Sequence, residues 1–323
     1  MSMKNKRGQV DWFIVTIIVA IITLGVIIMI IYYFPWGDTL DRTACKASVV
    51  LKATLPGDNI PAKDMVSVRC KSRYVCITAK SSGKGNCTEQ LGKTYETMRL
   101  SAETLDSKKE QIRMFLAREM AECWGIFGEG KLQIFSKSWN SNSGEVSRGI
   151  ICSKIAFDNT ITNGVKDDGV GAIKNLELFT QYMITRKVPN QKISYMDYII
   201  NSPEGESAKR FYGAGAVNEK ADVISLETVK SIVYIETTLT NLGKRIGGGA
   251  GLLVGAFVSR SVNPYILGAT TAVGAFAGES IQKWVSNSEF SERGVNAIGG
   301  LFLVDYNSDG FKELKIDSFE NIN

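Results

Sequence analysis

The sequence predicts an α+β fold with an N-terminal transmembrane helix, an extracytoplasmic domain of short strands and two amphipathic helices, and an inserted glycine-zipper helical hairpin. Three observations carry the prediction. Residues 12–34 hold no charge, six cysteines fall between positions 45 and 152, and glycine recurs at every fourth position from Gly243. The expected division is a cytoplasmic basic tip at 1–11, an anchor at 12–34, an extracytoplasmic α+β domain at 35–238 and 295–323, and the hairpin at 239–286.

As a helix, the run 12–34 would extend roughly 34 Å, enough to cross a bilayer core. Lys4, Lys6 and Arg7 precede it and Asp38 and Asp41 follow it, so the positive-inside rule sets the N-terminus in the cytoplasm and the rest of the chain outside. A secretory signal peptide would have a shorter apolar core and small residues at its end. This run ends instead on Tyr32, Tyr33, Phe34, Pro35 and Trp36, an interfacial aromatic belt with a helix stop.

With 323 residues and 44% hydrophobic content, the chain can build an anchor and one or two cored domains. The formal charge of +5 comes partly from the basic tip, so no nucleic-acid partner is implied. Histidine is absent, which excludes histidine-dependent triads and mixed Cys/His zinc sites. No cofactor is called for. The expected partners are the lipid bilayer, copies of the same chain and other envelope proteins.

Cys45, Cys70, Cys76, Cys87, Cys123 and Cys152 are even in number and lie in the compartment where disulfides persist. Their spacings match no zinc pattern, and disulfides outweigh free thiols or metal and redox chemistry. Proximity suggests one bridge within Cys70, Cys76 and Cys87 and another between Cys123 and Cys152. Asn86-Cys87-Thr88 is a glycosylation sequon, a short signal that fits an outer surface.

The elements follow from periodicity. Val49, Leu51, Ala53 and Leu55 alternate, predicting a strand from Ala47 to Leu55; further strands are expected at Val66 to Arg69 and Tyr74 to Ala79. Ile112, Phe115, Leu116, Met120, Cys123 and Phe127 recur every three or four residues, predicting a helix from Ser107 to Ile126 that Gly128 ends. Strands are expected at Lys131 to Ser136 and Gly149 to Asp158. A second amphipathic helix is expected from Val170 to Lys187, with Ile173, Leu176, Phe179 and Met183 on one face. The β-branched runs Lys230 to Thr237 and Ile298 to Asp305 are expected to pair.

Gly243, Gly247, Gly251 and Gly255 align on one helix face, Asn263-Pro264 breaks the run, and Thr270, Gly274 and Gly278 repeat the spacing. The pattern resembles the two-helix glycine-zipper domains of bacterial envelope proteins and lysis-type membrane peptides, which implies membrane insertion or oligomer assembly. The uncharged arms would be roughly 21 Å and 27 Å long, so only the second approaches bilayer thickness. A hairpin folded onto the domain, one in the membrane and an oligomerisation stalk all remain open.

Asp305, Asn307, Asp309 and Glu313 around Gly310 match the first nine positions of an oxygen-ligand calcium loop. Ile316 stands where the bidentate Glu belongs, and a solvated turn outweighs the metal. Cys123 beside Glu122 has no base to activate it, so a disulfide at a helix end outweighs catalysis.

Lys6-Arg7-Gly8-Gln9 before a long apolar run is similar to archaeal type IV prepilin-like signals, which implies cleavage after Gly8. It departs from them at Phe13, where many pilins carry Glu. The anchor, Cys45, Cys70-Lys-Ser-Arg-Tyr-Val-Cys76, Glu122-Cys123-Trp124-Gly-Ile-Phe-Gly128 and Ile151-Cys152-Ser153 together resemble an uncharacterised single-pass, cysteine-containing membrane protein family of small-genome archaea. That resemblance implies a compartment and a disulfide-bearing fold, and no activity.

The function these features point to is a membrane-anchored structural or interaction protein of the cell envelope, assembling through Gly243, Gly247, Gly251, Gly255, Gly274 and Gly278. The alternatives are a membrane-perturbing or pore-forming effector and a pilin-like filament subunit. An enzyme ranks below these.

Overall fold

The β-branched run at Ser231 to Glu236 occupies the middle of the principal sheet, where both neighbours supply strands and water is excluded from both faces. A computed structural model describes residues 15–26, 29, 36–55, 68–80, 83, 85–92, 94–129, 132, 134, 147–164, 171–199, 223–237, 253–260, 273–276, 297–306 and 316–319. The chain divides into two units, Met1–Ala44 and Cys45–Asn323.

The described strands are β1 (Arg73–Thr78), β2 (Glu96–Arg99), β3 (Ser147–Phe157), β4 (Asn175–Glu177), β5 (Val223–Ser225), β6 (Lys230–Thr237), β7 (Leu253–Arg260), β8 (Val273–Phe276), β9 (Ala297–Asp305) and β10 (Ile316–Phe319). Eight of them form one sheet in the order β2-β1-β3-β6-β9-β7-β8, with β10 also paired to β3. β2, β1, β3 and β10 run parallel, and β3, β6, β9, β7 and β8 alternate antiparallel. The expected pairing of the two β-branched runs is present, from Lys230 opposite Asp305 to Thr237 opposite Ile298.

Alternation along β1 sends Val75 and Ile77 into the main core and Cys76 to the other face, where it meets Cys87 and Ala156. The main core lies beneath α3 (Leu105–Ile126), whose Ile112, Leu116, Met120 and Cys123 are buried as the periodicity predicts, with Phe127 buried just past its end and Phe115 half-buried; Trp124 is buried as well. Thr104 caps its first turn by accepting from the Ser107 amide, and Gly128 ends it at φ 65°. Phe127 stacks on Tyr234 of β6 with centroids 4.4 Å apart, and Trp124 leans on the same ring at 6.1 Å. Besides the helical residues 15–26 and 29, the other described helices are α1 (Trp36–Thr54), α2 (Thr88–Leu91), α4 (Asn159–Thr162), α5 (Phe179–Thr185) and α6 (Tyr195–Ile199).

The structure corrects several expectations. Among the described residues no helix is long and apolar enough to cross a membrane, which overturns the transmembrane helix at 12–34. Within that run the described helical residues are 15–26 and 29. The strand expected from Ala47 to Leu55 is the end of α1. Its buried residues are Cys45, Val49 and Lys52, spaced by four and three, and that helical contact face overrides the alternation of Val49, Leu51 and Ala53. Residues 68–72, where the expected strand at Val66 to Arg69 ends, form no strand, and neither do Leu132 and Ile134.

The second amphipathic helix is shortened to α5. Residues 175–177 pair with Val223–Ser225 as β4, and Leu178 at φ 57° turns the chain before the helix begins. Ile173, Leu176, Phe179 and Met183 are all buried nonetheless. The glycine-zipper helical hairpin is also overturned, because its described residues are the antiparallel strands β7 and β8. Valine and phenylalanine at 254, 257, 258, 273 and 276 favour strands, whereas each glycine inside a helix would cost about 1 kcal/mol relative to alanine.

Candidate functional site

All six cysteines are paired: Cys45–Cys70, Cys76–Cys87 and Cys123–Cys152, with Cα separations of 4.4, 5.8 and 5.9 Å. The first ties α1 to the segment just before β1, the second ties β1 to the start of α2, and the third ties α3 to β3. Cys152 is the extra residue of a bulge, because Ile151 opposes Val233 while Ser153 opposes Ile232. The bulge alters the strand's local direction at the residue that meets Cys123. Three disulfides place this unit in an extracellular or oxidising compartment.

The most developed polar cluster sits at the carboxyl ends of the parallel strands β1 and β3. Asp158, the residue after β3, is 1% exposed. One carboxylate oxygen accepts from the Thr160 amide at 2.8 Å, capping α4, and the other accepts from the Asn86 amide at 2.5 Å. The Lys80 ammonium lies 3.4 Å away. Thr160 Oγ1 accepts from the Ala79 amide at 3.3 Å, and the Tyr95 hydroxyl donates to the Gly85 carbonyl at 3.0 Å. Burial alone would push the Asp158 pKa up; the Thr160 and Asn86 amides, with Lys80, hold it below its ordinary value.

A carboxylate committed to two amides and an ammonium is a poor base and a strong clamp. It fastens Asn86, next to the Cys87 already held by Cys76–Cys87, to the end of the sheet. Gly85 passes so close that an added Cβ would lie 2.6 Å from Cys76 Sγ. The clamp presents Asn86 and Thr88 of the sequon exposed on the surface, with Cys87 between them buried.

Two further charged clusters link strands to helices or to each other. Arg73 of β1 holds Glu96 of β2 at 2.8 Å through Nε and also contacts Glu119 of α3. Lys230 of β6 is buried against Asp305 of β9 and donates to Thr228 Oγ1 at 2.9 Å. Burial draws the Lys230 pKa down while contact with Asp305 draws it back up. Burial, assisted by Glu110, pushes the Tyr182 hydroxyl to about 12.

The residues singled out from sequence are placed as follows. Gly255 and Gly274 face each other across β7 and β8, so they cannot pack helices. Gly243, Gly247, Gly251 and Gly278 lie outside the described residues. The pore-forming reading loses the helical hairpin on which it stood. Asp305 is engaged by Lys230, while Asn307, Asp309 and Glu313 lie outside the described residues. Among the described residues no group of three or more candidate ligands could hold a metal.

Sequence reasoning missed Asp158 as a clamp. An Asp after a β run and before Asn-Thr is a cap signal, but its second partner, Asn86, is 72 residues away. Compared with known proteins, the chain matches no family model, no curated relative and no solved structure.

Proposed function

We propose that this protein is a structural component of a cell envelope whose disulfide-stapled head works outside the cytoplasm and which assembles with copies of itself. The observation that carries the reading is the exposed apolar surface of its N-terminal segment. The large apolar residues described between Val15 and Met29 are 44–64% exposed. Val15, Val19, Ile22, Val26 and Met29 follow one another at intervals of three or four. Ala47, Val50, Leu51 and Thr54 repeat that spacing on the exposed side of α1, with Val50 at 41% and Leu51 at 57%. Stripes of this period pack against like helices, and apolar exposure on this scale marks an interaction surface. A second copy of the chain supplies the matching stripe, since like residues meet like residues around a shared axis.

A filamentous form of that assembly, the pilin-like reading, is supported by the division of labour along α1. Its end is fixed to the head by Cys45–Cys70 and by buried Val49 and Lys52, while the apolar residues before it leave a surface for neighbouring subunits.

The test is sedimentation velocity with electron microscopy on the full chain in mild detergent, beside Ile22→Lys and Leu51→Lys. Discrete oligomers or filaments that both substitutions dissolve, with the disulfides of the head intact, are expected. Monomers at every concentration, or monomers that bind vesicles without associating, would assign the apolar segment elsewhere and overturn self-assembly.

A further inference from the structure

We propose that Lys230 and Asp305 are joined through their side chains by an amide bond, a covalent cross-link between the central strand β6 and its neighbour β9. Register makes the contact direct. Lys230 stands opposite Asp305 on one side and opposite Ile155 of β3 on the other, so the three side chains share a face of the sheet. On that face the next residues along the strands are Ile232 and Leu303, 0% and 2% exposed, and Ile155 is 0% exposed. Ile155, Ile232 and Leu303, with Ser153 next along β3, line that face beside Lys230, whose hydrogen-bond partners are Thr228 Oγ1 and the Asp305 carboxylate. The side chain of Lys230 is 4% exposed and that of Asp305 29%.

The chemistry is a condensation. The step begins with transfer of a proton from Nζ to the carboxylate in contact with it, which gives an amine and a carboxylic acid; burial of Lys230 disfavours its ammonium and so lowers the cost of that transfer. The Nζ lone pair attacks Cγ of Asp305, the C–N bond forms, and the C–OH bond breaks. The hydroxyl leaves with one amine proton as water, and Nζ keeps its last hydrogen as an amide. Atoms and charge balance with no external reactant, and no oxidant or reductant is needed. Two groups held in contact by a sheet react as one molecule, so a sluggish reaction in solution becomes feasible here.

The location has a mechanical rationale. Every cysteine lies at or before position 152, so the disulfides tie only the first half of the head. β6 and β9 are left to hydrogen bonds and packing. A Lys230–Asp305 amide closes 75 residues of chain and gives the second half a staple of its own, one that reductant does not open.

Mass spectrometry of tryptic peptides from the reduced, alkylated full chain decides the matter. The expected product is a branched peptide joining the Lys230 and Asp305 segments, lighter than their sum by one water and uncut after Lys230. It is absent from Lys230→Arg and Asp305→Ala. Two linear peptides in the wild type, with cleavage after Lys230, would overturn the proposal. So would a water loss that persists in Lys230→Arg, which would mark a succinimide at Asp305. The wild-type result decides by itself if either variant fails to fold.

Discussion

Replacing Asp158 with alanine removes three interactions from a side chain that is 1% exposed. The cap on α4 is worth about 1 kcal/mol. The amide of Asn86, 2.5 Å from the other carboxylate oxygen, donates to an ionised acceptor, a bond worth about 1.5–3 kcal/mol. Lys80, 40% exposed, adds no more than about 1 kcal/mol. We expect Asp158→Ala to destabilise the protein by about 3–4 kcal/mol, and Asp158→Asn, which keeps one acceptor, by roughly half as much. Urea unfolding with the disulfides intact measures both.

The pH dependence gives an independent check. The folded-state pKa of Asp158 is held below its ordinary value, so its stabilisation is complete above the unfolded pKa of about 3.9 and is lost as pH falls through the folded value. The gap between wild type and Asp158→Ala should therefore be constant from neutral pH to about pH 5 and narrow below about pH 4. A difference under about 0.5 kcal/mol at neutral pH, the scatter of ordinary surface substitutions, would refute the clamp. A gap that stays constant down to about pH 3 would refute its ionic character.

Two other predictions test the same end of the sheet and the staples. Gly85→Ala sets a Cβ 2.6 Å from Cys76 Sγ and 3.1 Å from Thr78 Cβ, and neither a disulfide sulfur nor a buried strand yields easily. A loss of about 1–3 kcal/mol is expected, and an unchanged melting temperature would show that Gly85 has more room than its contacts indicate. Removing Cys123–Cys152, which spans 29 residues, should cost about 3.6 kcal/mol of chain entropy. Removing Cys76–Cys87, which spans 11, should cost about 2.8 kcal/mol by the same relation. Paired Cys→Ser variants in urea give the order directly, and a reversed order would mean that native packing around Cys76 outweighs loop closure.

Much of the head was legible because its signals are local. The three- and four-residue recurrence from Ile112 to Phe127 specifies α3, and Thr104 and Gly128 mark its ends. The runs at Tyr74, Gly149, Lys230 and Ile298 each appear as strands. The expected pairing of β6 with β9 and the expected Cys123–Cys152 bridge are present; Cys76–Cys87 is the bridge anticipated within Cys70, Cys76 and Cys87. The residues of α1 were misread because alternation of Val49, Leu51 and Ala53 and the spacing of Cys45, Val49 and Lys52 coexist in the same stretch. Only the surface they pack on chooses between the two periods.

Composition and periodicity by themselves determined the apolar N-terminal segment, the main helix and the central strands, because each depends on residues within one turn or one strand. The tertiary structure decided the rest. β4 exists because Val223–Ser225 lies beside it, the glycine-rich segment contributes strands because β9 pairs with β7, and Lys230 meets Asp305 across 75 residues of sequence. Hydrogen-bond partners and buried charges are satisfied across the fold, so their identities emerge only when distant segments are brought together.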